Sequence, residues 1–77
     1  MDHDQAQQAR HNGDLTSAII TPASDANGWI ILLRDNNGET AVYTGHSGTE
    51  KVYRDLDQAT EEARELGFDE VRVEENF

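Results

Sequence analysis

Residues 28–45 read GWIILLRDNNGETAVYTG. Five large apolar residues stand in a row, Trp29-Ile30-Ile31-Leu32-Leu33. A strand turns alternate side chains to opposite faces, so this run predicts a central strand over 29–34 that needs apolar cover on both sides. Asp35-Asn36-Asn37-Gly38 follows as a hairpin signal. It is compatible with a two-residue Asn37-Gly38 loop, or with a type I turn ending on Gly38 in a left-handed bulge. The two options differ by one residue in register. The returning strand is 39–44, ETAVYT.

Working outward, LTSAIIT (15–21) predicts a first strand closed by Pro22, and ASDANG (23–28) a connecting turn. Gly45-His46-Ser47-Gly48 predicts another turn. TEKVYR (49–54) predicts a fourth strand with alternating character. A helix is expected over 55–66, where Leu56, Ala59, Ala63 and Leu66 fall on one face of a 3.6-residue period. Asp55 can cap it, with Gln58 completing a variant capping box. Gly67 sits where a left-handed terminal residue is wanted, and Phe68 can fold back on the last turn. Val71 and Val73 alternate with Glu70, Arg72 and Glu74, predicting a last strand over 69–74, reached by a right-handed crossover. The expected fold is α+β: a single small domain with a mainly antiparallel sheet of four to five strands. Its order is β-β-β-β-α-β, with one helix packed on one face. Residues 15–77 form this domain, and the polar 1–14 segment, MDHDQAQQARHNGD, is expected to be a flexible tail, disordered or briefly helical.

A chain of 77 residues is one domain at most. At that size only about 60% of the unfolded surface is buried, so the margin of stability is thin and self-association is a natural remedy. Cysteine is absent, which removes disulfides, thiolate metal sites and cysteine nucleophiles. The first ten residues carry neither a basic nor an apolar region, so no secretory signal is expected. The longest apolar run is five residues, against the roughly 20 of a membrane-spanning helix. A cytoplasmic location is the corresponding expectation. The net charge is -10, with sixteen acids, six bases and a single lysine. Phosphate contacts need clustered Lys and Arg, so direct nucleic-acid binding and anionic membrane surfaces are not expected. A basic protein partner remains compatible with the long-range field.

The sequence carries no recognisable catalytic set, metal site or cofactor motif. His3 and His11 are eight apart within the polar segment, and His46 lies in a glycine-flanked turn without an orienting acid beside it. GHSG lacks the lysine and the following helix of a phosphate loop. DNNGE has its glycine at the wrong offset for a calcium loop. Adjacent acids such as Glu61-Glu62 do not converge on one substrate atom. The chain is therefore expected not to be an enzyme.

From residue 28 onward the pattern resembles small accessory proteins of bacterial plasmids and mobile elements. In these a hairpin leads through a strand into a helix–strand unit. Here that unit comprises Tyr53, Leu56, Asp57, Ala59, Leu66, Gly67, Val71 and Val73. The resemblance covers about fifty residues. It implies an accessory or regulatory role and no catalytic residues.

Three functional readings follow. In the first, the helix covers one sheet face, and the other face is covered by a second copy in a homodimer. Trp29, Ile31, Leu33 and Tyr43 are then the partner-facing residues. In the second, the acidic helix face with Glu61, Glu62 and Glu65 imitates phosphates and binds a basic nucleic-acid-binding protein. Residues 50–77 carry ten acids against four bases, a local balance of -6. The third, a small ligand-binding protein or enzyme, would depend on His46 lying in a pocket.

Overall fold

The computed structural model describes residues 1–23, 27–45 and 51–74. It has six elements: α1 (His3–His11), β1 (Leu15–Pro22), β2 (Trp29–Asp35), β3 (Thr40–Val42), α2 (Leu56–Glu65) and β4 (Val71–Val73). The four strands form one mixed sheet in the order β3-β2-β1-β4. β1–β2 and β2–β3 pair antiparallel, and β1–β4 pairs parallel. The fold is α+β, with two helices instead of the expected one.

The long apolar run forms β2, paired on both sides as a central strand must be. The hairpin takes the bulged alternative. Gly38 has φ +84° and its N–H donates to the Asp35 carbonyl at 3.1 Å, while Asp35 N–H donates to the Glu39 carbonyl at 2.9 Å. Asp35 Oδ1 also accepts from the Asn37 and Glu39 amides, both at 2.9 Å. This aspartate thus organises the turn as well as ending the strand. A second irregularity lies in β1, where the register shifts between Leu15 and Ser17. The extra residue, Thr16, is exposed and donates from its hydroxyl to the Arg34 carbonyl at 3.3 Å. The bulge lets odd-numbered Leu15 join even-numbered Ala18 and Ile20 on the inner face.

Both helices pack on that face. Ala6 of α1 and Ala59 and Ala63 of α2 are fully buried against Ala18, Ile20, Ile31 and Leu33. Alanine at the contacts allows close approach, while the strands supply the bulk. Each buried Ile or Leu contributes roughly 1.5–3 kcal/mol of transfer free energy. α2 ends as its sequence indicates. Gly67 has φ +101°, its N–H donates to the Arg64 carbonyl, and Phe68 N–H donates to that of Ala63. Phe68 tucks beneath the last turn at 3% exposure.

Three expectations are corrected. The 1–14 segment is not a tail, because residues 3–11 form α1, which buries Ala6 in the core. Its capping box joins Asp2 and Gln5: Gln5 N–H donates to Asp2 Oδ1 at 2.8 Å, and Asp2 N–H to Gln5 Oε1 at 3.0 Å. Asp55 is the N-cap of α2 by backbone conformation, but its side chain makes no cap hydrogen bond. Of the expected fourth strand, residues 49 and 50 lie outside the described residues. The remainder makes a single antiparallel bridge, Tyr53 to Trp29.

α1 is held mainly by polar and backbone contacts. The Met1 ammonium donates to the Val42 carbonyl at 2.9 Å, and Thr44 N–H donates to the Met1 carbonyl at 2.8 Å. At its other end, Arg10 Nε donates to the Gly67 carbonyl at 3.1 Å, with its guanidinium 5.3 Å from the centre of the Phe68 ring. Asn36 Nδ2 donates to the Gly13 carbonyl at 3.0 Å, tying the hairpin to the end of α1.

Candidate interaction surfaces

The strand register assigns every side chain of the apolar run to a face. Trp29, Ile31 and Leu33 point toward the helices: Ile31 and Leu33 are 0% and 1% exposed, and Trp29 is half-buried against the same cluster. Tyr43 is fully buried there too. The four residues expected to face a partner are therefore part of the intramolecular core. The opposite, outer face belongs to the other alternation, Ile30 and Leu32. Its main feature is an aliphatic row across three strands, Ile19–Leu32–Val42, with Ile30 in the next row beside Thr21. Ile19 and Ile30 are buried, at 1% and 8% exposure, while Leu32 and Val42 are half-buried. Arg34 continues the outer alternation of β2, and its Nε is buried without a hydrogen-bond partner among the described residues. The apolar run pointed to an outer patch, but its members depended on knowing which alternation the helices cover.

A chain of polar side chains lies beneath α1 and α2. Tyr43 Oη donates to Glu62 Oε1 at 3.0 Å. Having given its proton there, it accepts from His3 Nδ1 at 2.9 Å. Burial and then the Glu62 hydrogen bond push the Tyr43 phenol well above its usual range. Tyr53 is also raised, by burial and then by the Glu62 charge, and its hydroxyl is buried without a hydrogen-bond partner among the described residues. Both phenols are neutral across the physiological range, so neither acts as a base or anionic nucleophile there. Glu62 is thus engaged from within, whereas Glu61 and Glu65 are exposed on α2 with Asp57.

A cavity of about 450 Å³ separates that helix flank from residues 51–54. Gln58, Glu61, Glu62 and Glu65 line one wall, and Lys51, Val52, Tyr53 and Arg54 the other. Lys51 Nζ lies 5.7 Å from the centre of the Tyr53 ring. Among the described residues no group of three or more His, Cys, Asp or Glu side chains is placed to hold a metal ion. Likewise, no helix among them is long and apolar enough to cross a membrane. His46 lies outside the described residues.

These features define a small α+β protein with a mixed four-stranded sheet, helices on one face and an aliphatic row on the other. Comparison with known proteins finds no matching family model, no matching curated protein and no matching solved structure.

Proposed function

We propose that this chain is a non-enzymatic interaction module that pairs with a second copy of itself through the outer sheet face. The observation that supports this is the row Ile19–Leu32–Val42, on the face that neither helix covers. An aliphatic row on a one-sided sheet is suited to a self-complementary contact. Sedimentation velocity from low to high micromolar concentration tests the reading. A dimer is expected, and Leu32→Glu should give a monomer with an unchanged circular-dichroism spectrum. A strict monomer for the parent chain at high micromolar concentration would refute it.

A second reading rests on α2, where Asp57, Glu61 and Glu65 recur at four-residue spacing and are all exposed. Like charges at that spacing repel mildly, and a basic partner would relieve the cost. This reading requires a basic nucleic-acid-binding protein whose capture weakens as salt rises and is lost in the Glu61→Gln, Glu65→Gln double variant.

A further inference from the structure

Asparagine followed by glycine is the sequence most prone to spontaneous loss of the side-chain amide, because glycine leaves its own nitrogen unshielded. This chain contains the pair three times, at 12–13, 27–28 and 37–38. All three asparagines are exposed. What separates them is the state of the glycine N–H, which must give up its proton before the nitrogen can attack. Gly13 N–H donates to the Arg10 carbonyl at 3.1 Å, closing the end of α1. Gly38 N–H donates to the Asp35 carbonyl at 3.1 Å, closing the hairpin. Gly28 uses its carbonyl, which accepts from Ala23 N–H at 3.0 Å, but its own N–H has no acceptor among the described residues. A hydrogen-bonded amide is held in its protonated state until the local structure opens, and an unbonded one is not.

We infer that Asn27 is a self-modifying site of the folded protein, while Asn12 and Asn37 are protected by the turns they belong to. The Gly28 nitrogen, having lost its proton to solvent, attacks Cγ of Asn27. The new N–C bond closes a five-membered succinimide as the side-chain Cγ–N bond breaks, and the departing nitrogen takes a proton from solvent and leaves as ammonia. Water then opens the ring at either carbonyl, giving aspartate or isoaspartate at position 27. Either product adds a negative charge, and the iso form also inserts a methylene into the main chain. The insertion falls beside a tight contact: a Cβ on Gly28 would lie 2.6 Å from both the Tyr53 carbonyl oxygen and Val52 Cγ1. The Trp29–Tyr53 bridge follows immediately, so modification loosens the clasp that holds residues 51–54 to β2.

The test is peptide mass mapping of the full chain incubated at mildly alkaline pH, native and in concentrated urea. In the native protein Asn27 should convert at least several-fold faster than Asn12 or Asn37, and in urea the three rates should converge. Aged native protein should accept methyl groups from an isoaspartyl methyltransferase, and Asn27→Ser should remove most of that signal. Conversion of Asn12 or Asn37 as fast as Asn27 in the native chain would overturn the inference. So would hydrogen exchange at Gly28 as slow as at Gly13 and Gly38.

Discussion

Replacing Tyr43 by phenylalanine isolates the polar chain under the helices. The ring, fully buried in the parent, keeps its packing, so the loss is confined to the hydroxyl. That hydroxyl donates to Glu62 Oε1 at 3.0 Å and accepts from His3 Nδ1 at 2.9 Å. A hydrogen bond to a charged group is worth about 1.5–3 kcal/mol net, and a neutral one about 0.5–1.5 kcal/mol. Two offsets apply: Glu62 is half-buried, so water can replace part of the lost donor, and phenylalanine has no hydroxyl to desolvate. A net loss of about 1–2 kcal/mol is therefore expected. For a domain of this size each kcal/mol lowers the midpoint of thermal unfolding by roughly 4–8 °C. Urea denaturation followed by far-ultraviolet circular dichroism measures it, with an unchanged slope expected because no surface is newly exposed. A double-mutant cycle with Glu62→Gln should return a coupling of about 1 kcal/mol. A loss below about 0.3 kcal/mol, or strictly additive single variants, would show that the chain contributes nothing beyond packing.

Three further outcomes can be checked together. Both phenols titrate higher when folded than their ordinary value of 10.0, so the unfolded chain releases protons first and stability should fall as pH rises above that value. Chemical denaturation across that range should show a slope approaching about 1.4 kcal/mol per pH unit for each tyrosine, reduced in Tyr53→Phe. Gly67→Ala places a Cβ in a left-handed residue at φ +101° and should cost about 1–2 kcal/mol by thermal unfolding. Asp2→Ala removes the acceptor of the α1 cap and should cost about 1 kcal/mol, with hydrogen-exchange protection lost first in residues 3–6.

Periodicity and end signals were enough for the larger elements. β2 is announced by its apolar run, α2 by its four-residue stripe and by Gly67-Phe68, and the hairpin by Asp35 to Gly38. α1 was concealed because its anchors are not apolar stripes. Ala6 is the one residue it buries fully, and the rest of its hold comes from Met1 backbone contacts, His3 on Tyr43 and Arg10 on Gly67 and Phe68. Asp2 and Gln5 did carry a legible capping signal, three residues apart ahead of Ala6 and Ala9. The parity of the outer face could not be read from one strand, since a run of five apolar residues suits either face. The bulge at Thr16 hides it further by changing the alternation of β1 midway. The direction of β4 depended on the same missing information, because its parallel partner β1 is far away in the chain.

The Met1 backbone does more than anchor a helix. It receives and gives main-chain hydrogen bonds on either side of Tyr43, at Val42 and Thr44, along the flank of β3 that faces away from β2. The sheet's β3 border is thereby occupied by the chain's own first residue. The opposite border, β4, is three residues long and carries the charged Arg72 at its centre. A strand from another molecule finds little ladder to extend on either side, which disfavours the sideways stacking that leads to fibrils. Residue 1 therefore also acts as a guard against aggregation, and variants that displace it should be judged by their solubility on prolonged storage as well as by their melting temperature.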